Sequence, residues 1–317
     1  MPGTAGRRPG VHPGAAGRDG LNCGRRATDP EETMKKGSRM YALVFPGQGT
    51  QRPRMGVDLF RRYPEIVAAA EEVLGWSPRE MSERGDVAEL TDTRYAQPTV
   101  FLVNALRALA HAEDNPREYA VFAGHSLGEF NALVAAGILD LMDGLRLVRE
   151  RALAMAEIRD GGMLAVLGLP ADEVERVIRR SNLNQVFLAN RNSDRQVTLG
   201  GQTAQLGLVS RLLRSAGASN VLPLRVSGPF HTPLMAPARI RFARTLREVS
   251  FGTGHTLVVS SVTGADFDPG SATELLTRQL VSPVEWVAVV HRLRRLGVTQ
   301  VDELDGSTLT AMIGAVR

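Results

Sequence analysis

The sequence predicts an α/β fold in which a large domain with a parallel sheet carries a smaller inserted domain. The first observation is an alternation of short apolar runs with helical periodicity, as in Met40–Phe45 followed by Val57–Leu74 and Pro98–Ala112. This alternation is typical of parallel strands covered by helices on both faces. The second observation is a different element order over residues 163–224, β-α-β-β-α-β, which is the ferredoxin-like arrangement.

The boundaries of the inserted domain follow from its apolar and helical patterns. Its strands are predicted at Met163–Leu167, Val186–Ala189, Val197–Gly200 and Val221–Leu224, and its helices at Pro170–Arg180 and Thr203–Ala216. The chain then returns to the large domain with a strand near Val258–Ser261 and helices near Ser271–Gln279 and Pro283–Leu296. The large domain is therefore predicted at 40–162 and 225–317, and the small one at 163–224.

The composition is that of a globular protein, with 317 residues, 43% of them apolar and 23% charged. No stretch of eighteen uninterrupted apolar residues occurs, so the sequence predicts no transmembrane helix and no membrane partner. Cys23 is the only cysteine, which excludes an internal disulfide and gives no sign of a metal site. We therefore expect a cytoplasmic protein without a metal.

Residues 1–39 differ from the rest of the chain. They contain eight Lys or Arg and four Asp or Glu, which leaves 30 residues of each charge in the remainder. The basic excess belongs to this segment and gives no reason to expect nucleic-acid binding by the fold. Its Gly, Pro and Arg content predicts a disordered basic tail, and it lacks the apolar segment of a secretory signal. A transit peptide, or a natural start at Met34 or Met40, are the alternatives.

The motif Gly124-His125-Ser126-Leu127-Gly128 lies between an apolar run and a helix-forming run. G-x-S-x-G between a strand and a helix is the pattern of the nucleophile elbow, so we expect an α/β-hydrolase-like large domain with Ser126 as nucleophile. Gly124 and Gly128 remove side chains that would collide across the bend. The helix N-terminus favours the negative charge that develops during acyl transfer. An ordinary glycine-rich turn is the alternative interpretation.

A serine nucleophile needs a base, and the chain contains six histidines. His231 lies in a turn-rich loop just after the inserted domain, where a cleft between domains is expected. There it can accept the Ser126 proton and later return it. His125 is expected to pack, since adjacent residues on a sharp turn point in different directions, and His111 and His291 are expected to be solvated. Elimination alone leaves a structural role for His231 equally open.

Arg151 is conspicuous on the predicted helix Leu141–Ile158. At about 100° per residue it falls about 280° from Leu141, on the flank of the apolar stripe. An arginine removed from water needs an anionic partner, and its planar fork fits a carboxylate. A substrate carboxylate is one interpretation. A structural ion pair, or a side chain that reaches solvent along the stripe, are the others.

The loop Gly47-Gln48-Gly49 follows the first predicted strand. It is not a dinucleotide-binding fingerprint, because Arg52 stands where the third glycine of that motif would be. Such a loop can present backbone N–H groups to a neighbouring site. An oxyanion hole built from the N–H groups of Gln48 and Leu127 matches the usual arrangement, in which the residue after the nucleophile supplies one donor.

Together, these motifs resemble the malonyl-CoA:acyl-carrier-protein transacylases of fatty-acid and polyketide synthesis. The segments that carry the resemblance are Phe45–Gln51, Gly124–Glu129, Arg151, Gly228–His231 and Arg278–Leu280 followed by Pro283–Trp286. Glu129–Leu133 and Ala189–Ser193 look more like the free-standing, trans-acting acyltransferases of polyketide clusters. The likeness extends from Tyr41 to the C-terminus.

The resemblance implies a function and a role for each matching residue. Ser126 would carry a malonyl ester taken from malonyl-CoA, and the phosphopantetheine thiol of an acyl carrier protein would receive it. His231 would be the base, oriented by the backbone carbonyl of Gln279, and Arg151 would bind the malonyl carboxylate. Phe230 would crowd substituents next to the carbonyl and thereby select malonyl. No permanently bound cofactor is implied.

Three other functions remain as alternatives at this stage. A patatin-like serine hydrolase would pair Ser126 with an aspartate, for which Asp305-Gly306 is available. An editing hydrolase of the same family would clear acyl groups from carrier proteins. A carrier-protein docking module would have lost catalysis.

Overall fold

The computed structural model describes residues 39–317, so the predicted tail over 1–39 lies outside the described residues apart from Arg39. Two four-stranded sheets organise this part of the chain. The strands are β1 (Tyr41–Phe45), β2 (Val121–Gly124), β3 (Gly162–Leu167), β4 (Val186–Ser193), β5 (Gln196–Gly201), β6 (Asn220–Pro223), β7 (Leu257–Val259) and β8 (Gln300–Glu303).

The helices cover both sheets. They are α1 (Val57–Arg62), α2 (Pro64–Leu74), α3 (Pro78–Arg84), α4 (Val87–Thr91), α5 (Thr93–Asp114), α6 (Gly128–Ala135), α7 (Leu141–Ala156), α8 (Ala171–Arg180), α9 (Thr203–Ser215), α10 (Ala236–Leu246), α11 (Ala272–Gln279), α12 (Trp286–Arg295) and α13 (Thr308–Gly314).

The first sheet is parallel throughout, as predicted, with the order β7-β2-β1-β8. Alternate residues of a strand point to opposite faces. Leu43 and Phe45 of β1 therefore join the larger apolar core, and Ala42 and Val44 join a second core with residues of α12 and α13. Strand β8 was missed by the sequence analysis, because three of its four residues are polar and Val301 alone gives no apolar run.

The second sheet has the order β4-β5-β3-β6, and each neighbouring pair is antiparallel. Helices α8 and α9 pack with it around a separate apolar cluster. The face of this sheet away from α8 and α9 approaches the His231 loop. A Cβ at Gly200 of β5 would lie 2.7 Å from the Thr232 side chain. Strand β4 is also tied to the large domain, because the N–H of Arg191 donates to the Val284 carbonyl at 2.9 Å.

Proline and capping residues explain where the helices differ from the prediction. The predicted helix Val57–Leu74 is divided at Tyr63 (φ −124°), because the residue before a proline avoids the helical conformation. The predicted helix Pro98–Ala112 begins five residues earlier, where the Asp92 carboxylate accepts a hydrogen bond from the Arg94 N–H at 2.9 Å. Helices α3, α4, α10 and α13 were not predicted.

The first turn of α6 packs directly on the end of β1. A Cβ at Gly128 would lie 2.0 Å from the Phe45 carbonyl oxygen, and a Cβ at Gly124 would lie 2.0 Å from the Gly128 carbonyl carbon. Both distances are far below van der Waals contact, so the predicted steric need for these glycines is confirmed. The close approach fixes the turn that carries Ser126.

We predict that Gly128→Ala destabilises the protein, because β1 and α6 must separate to admit the methyl group. The expected loss is about 1–3 kcal/mol in the free energy of unfolding, measured by urea denaturation. Gly207→Ala is the matched control, since Gly207 is exposed in the middle of α9 with open space at its Cβ. That substitution should stabilise by about 0.5–1 kcal/mol. Equal stability of the two variants would contradict the steric argument.

Candidate active site

Ser126 lies at the turn between β2 and α6, at the carboxyl edge of the parallel sheet. Its backbone is in the left-handed region (φ 53°), which non-glycine residues rarely adopt and which clusters at functional sites. The loop after β1 ends at the same edge, and a Cβ at Gly47 would lie 2.6 Å from the His125 carbonyl oxygen. The structure therefore brings the Gln48 loop against the elbow, as the sequence motifs predicted.

His231 contacts Ser126 directly. The serine Oγ and the His231 Nε2 are 2.6 Å apart, and the His231 Nδ1 is 2.8 Å from the Gln279 carbonyl oxygen. Because a carbonyl only accepts, Nδ1 carries the ring proton and Nε2 is left to accept the Ser126 hydroxyl proton. His231 also has positive φ (61°), so both members of the pair are held in a strained backbone conformation.

The charge state of His231 is set by its surroundings. Its side chain is buried, and burial together with the Arg151 charge lowers the pKa of His231 to about 3. A neutral imidazole is the form that accepts a proton, so the ring is ready to act as a base at neutral pH.

Arg151 is 1% exposed and its guanidinium reaches the same serine. One terminal nitrogen donates to the Ser126 Oγ at 3.2 Å and to the Gln279 Oε1 at 2.9 Å, and the other donates to the Gln97 Oε1 at 2.6 Å. Burial lowers the pKa of Arg151 to about 10, which still leaves it charged at neutral pH. Within residues 39–317 no carboxylate forms an ion pair with it.

The two predicted oxyanion-hole donors are free. In the part of the chain that the structure describes, the N–H groups of Gln48 and Leu127 donate to no protein acceptor. Leu127 is the residue before α6, where unpaired N–H groups and the helix dipole favour negative charge. The Gln48 side chain is held on α5, since its Nε2 lies 3.3 Å from the Thr93 Oγ1 and its Oε1 lies 3.3 Å from the Gln97 Nε2.

Three side-chain interactions at the site were missed by the sequence analysis. The Gln97 amide contacts both Gln48 and Arg151, and the Gln279 side chain donates to the Ser126 carbonyl oxygen at 3.1 Å. Glu129, which follows the elbow, is fully buried and accepts from the Gln279 amide. Side-chain amides have no sequence signature of their own. The charged Glu129 within an apolar helix is the one signal that was available.

Phe230 and His125 border the site. Phe230 is 4% exposed and belongs to the large apolar core, next to His231. The His125 Nε2 lies 2.9 Å from the Asn192 Oδ1, its ring packs 5.5 Å from that of Trp286, and burial lowers its pKa. The expectation that His125 packs is confirmed.

The expectation for two other histidines was wrong. His111 is half-buried rather than solvated, and its Nε2 lies 2.6 Å from the Tyr119 hydroxyl. His291 is also half-buried, with its Nε2 3.3 Å from the Arg317 carbonyl oxygen. Both partners lie outside the helix that carries the histidine, so helix periodicity could not have found them.

Asp305 does not pair with Ser126. Its carboxylate is 6% exposed and lies 2.7 Å from the Arg52 guanidinium and 3.1 Å from that of Arg107. Asp305, the aspartate that the patatin-like alternative would use, is therefore paired with two arginines.

A cavity of about 800 Å³ opens beside the site. Ser227 lines it, and the Ser227 Oγ lies 2.9 Å from the Thr93 Oγ1 that also contacts Gln48. Arg159 and Arg225 line it as well and are both exposed. With Arg94, Arg159 and Arg225 against Asp92, the cavity presents a net positive charge, and Ser126, Arg151 and His231 do not line it.

Neither a metal-binding cluster nor a membrane-spanning helix is found among residues 39–317. No group of three or more His, Cys, Asp or Glu side chains comes together there to hold an ion. None of the helices in that range is long and apolar enough to cross a bilayer.

Comparisons with known proteins agree with this geometry. The acyl transferase domain model matches residues 42–299. The polyketide biosynthesis protein ThaF of Burkholderia thailandensis is 36% identical over 290 residues, which are 91% of this chain but only 25% of ThaF. The polyketide biosynthesis malonyl CoA-acyl carrier protein transacylase PksC of Bacillus subtilis is 33% identical over 280 residues, covering 88% of this chain and 97% of PksC.

A solved structure has the same fold. PlMCAT–AntF is a type II polyketide synthase acyl-carrier protein in complex with its malonyl-transacylase, and this chain matches it with a TM-score of 0.83 and 32% identity. The match covers 87% of this chain and 93% of that one. The chain therefore belongs to the acyl transferase domain family, as its motifs predicted.

Proposed function

We propose that this protein transfers a malonyl group from malonyl-CoA to the phosphopantetheine thiol of an acyl carrier protein, through an ester on Ser126. The observation that carries the proposal is the buried Arg151 guanidinium, which contacts the Ser126 Oγ and lacks an ion-pair partner among the described residues. A buried cation held only by neutral groups is costly, and a carboxylate on the acyl group would compensate it. The names of PksC and of the PlMCAT–AntF complex describe the same reaction.

In the first half of the reaction, Ser126 attacks the thioester carbonyl of malonyl-CoA. His231 takes the hydroxyl proton through Nε2 as the new C–O bond forms. The oxyanion is stabilised by the N–H groups of Gln48 and Leu127. The C–S bond then breaks, and the coenzyme A sulfur leaves with the proton from His231.

In the second half, the phosphopantetheine thiol replaces coenzyme A. His231 removes the thiol proton, the sulfur attacks the ester carbonyl, and the Ser126 oxygen leaves and regains the proton. The acyl group stays in place because its carboxylate is bound by Arg151. Transfer competes with hydrolysis, so the enclosed position of His231 (4% exposed) favours the thiol over water.

Substrate access and selectivity follow from the surroundings of Ser126. Both substrates carry a phosphopantetheine arm, and the basic cavity next to Ser227 offers a surface on which the phosphate end of that arm could bind. Phe230, directly before the catalytic histidine, restricts substituents next to the carbonyl. No resident cofactor is needed, and the single cysteine supports a cytoplasmic site of action.

The fold proposal is an α/β-hydrolase-like large domain (40–162 and 225–317) with a ferredoxin-like insertion (163–224). Support for the first part is the serine on a strained turn between a parallel strand and a helix. Support for the second is the element order β3-α8-β4-β5-α9-β6 with the antiparallel sheet order β4-β5-β3-β6. The free-standing, polyketide-associated subgroup is supported by the nearly full-length match to PksC.

Incubation with malonyl-CoA alone should add the mass of one malonyl group to the protein, measured by intact-protein mass spectrometry. Ser126→Ala should remove this adduct, because within residues 39–317 the Ser126 Oγ is the nucleophile that hydrogen-bonds to the His231 Nε2. Subsequent addition of a phosphopantetheinylated carrier protein should transfer the label. Unlabelled wild-type protein, or label that water removes as fast as the carrier protein does, would contradict the transferase proposal and favour the editing hydrolase.

Arg151→Ala should reduce kcat/KM for malonyl transfer by about 30-fold or more relative to acetyl transfer. The reason is that only the malonyl group carries a carboxylate for the guanidinium. Acetyl transfer by the same variant is the internal control for folding and for the Ser126–His231 pair. An equal loss with both acyl groups would contradict the carboxylate clamp.

The pH dependence of malonylation should reflect the lowered pKa of His231. The base is active only when neutral, so kcat/KM falls as pH decreases through its pKa in the free enzyme. With that pKa at about 3, kcat/KM should be flat from about pH 8 to about pH 5. In Arg151→Ala the acid limb of the pH profile for acetyl transfer should move to higher pH, because the guanidinium charge no longer opposes protonation of His231. A tenfold loss per pH unit below about 6.5 in the wild type would contradict this assignment.

A further inference from the structure

Glu129 is a buried charge that the proposed chemistry does not use. It is the second residue of α6 and is 0% exposed. One carboxylate oxygen accepts from the Ser261 N–H at 3.0 Å, and the other accepts from the Ser261 Oγ at 2.7 Å and from the Gln279 Nε2. All of these partners donate, which is the environment of an ionised carboxylate. Burial raises the pKa of Glu129, and the hydrogen bonds from Ser261 and Gln279 act in the opposite direction by stabilising the ionised form.

Gln279 lies between this anion and the buried cation. Its Nε2 donates to Glu129 and to the Ser126 carbonyl oxygen, and its Oε1 accepts from the Arg151 guanidinium at 2.9 Å. Its backbone carbonyl separately accepts from the His231 Nδ1. Gln279 thus contacts the nucleophile Ser126, the base His231 and the buried Arg151.

The Gln279 side-chain amide has two possible orientations, which differ by exchange of its oxygen and its NH₂ group, and the neighbouring groups determine which one is adopted. The NH₂ group must face acceptors, and the oxygen must face a donor. Because the Glu129 carboxylate can only accept, it requires the NH₂ group on its side. The Gln279 oxygen is thereby directed to Arg151, whose guanidinium can only donate.

We propose that Glu129 is a positioning residue that orients the Gln279 side-chain amide and through it holds Arg151 in place for the substrate carboxylate. This inference rests on the proposed malonyl transfer. Glu129 touches no reacting atom, and its effect is expected on selection of the acyl group rather than on the Ser126–His231 pair, which depends on the Gln279 backbone.

Glu129→Gln tests this orientation with almost no change in shape. The Ser261 N–H needs an acceptor, so the new amide would place its oxygen there and its NH₂ group against the Gln279 NH₂. The Gln279 amide must then either move away from residue 129 or turn over, and turning over would place its NH₂ group against the Arg151 guanidinium and its oxygen against the Ser126 carbonyl oxygen. Either change disturbs the position of Arg151. We expect the ratio of malonyl to acetyl kcat/KM to fall about tenfold or more, mainly through a higher KM for malonyl-CoA, with acetyl kcat retained.

Glu303→Gln is the matched control. The Glu303 carboxylate also accepts from backbone N–H groups, those of Leu309 and Thr310, and from a hydroxyl, the Thr310 Oγ1 at 2.9 Å. It caps α13 on the far side of the parallel sheet from Arg151. The malonyl-to-acetyl ratio of this variant should equal that of the wild type.

The malonyl-to-acetyl ratio of kcat/KM in the two variants decides the proposal. A lowered ratio in Glu129→Gln but not in Glu303→Gln supports the proposal. An unchanged ratio, or equal losses for both acyl groups, overturns it. If Glu129→Gln does not fold, Gln279→Ala keeps the backbone carbonyl and should lower the same ratio, and a wild-type ratio in that variant overturns the proposal. Wild-type protein that takes no malonyl group from malonyl-CoA is a failure of the proposed function itself and is recognised before any variant is measured.

Discussion

The buried guanidinium of Arg151 is the interaction on which the account of this site depends. Within the described chain it is held by neutral acceptors, the Oε1 atoms of Gln97 and Gln279 and the Ser126 hydroxyl. Each of these can satisfy a hydrogen bond, but none can neutralise the charge. Glu129, on the far side of the Gln279 amide, offsets the charge in part, and a substrate that carries its own carboxylate supplies the direct ion pair. The same charge helps to keep His231 neutral and able to accept a proton.

The supporting structure brings four distant segments to one point. The elbow after β2 and the loop after β1 meet because parallel strands end at the same edge of the sheet. The His231 loop arrives from the end of the small sheet, and Gln279 arrives at the end of α11. Glycine at positions 124 and 128 is the steric condition for this meeting, since any side chain there would overlap backbone atoms. Strain at Ser126 and His231 is tolerated because the surrounding packing determines both turns.

The parallel sheet, the order of the elements of the second sheet and the proximity of Ser126, His231 and Arg151 were predictable from the sequence. Apolar alternation and a glycine-flanked serine are local patterns, and Arg151 was conspicuous on its helix face. The positions of Gln97 and Glu129 in the site were not predictable, because their partners lie between 49 and 150 residues away and amides pair without a spacing rule. Polar strand β8 was missed for a related reason. Its place is set by pairing with β1 rather than by its own residues.

The most direct test of the central claim is a crystal structure of the malonylated protein. We expect an ester on the Ser126 Oγ whose carboxylate lies about 2.7–2.9 Å from both terminal nitrogens of Arg151. It would replace the serine hydroxyl as the partner of the nitrogen that now contacts it. A malonyl carboxylate directed into the cleft, with Arg151 still bound only to Gln97 and Gln279, would contradict it. In that case the buried guanidinium would be a structural element, and the preference for malonyl would need another source.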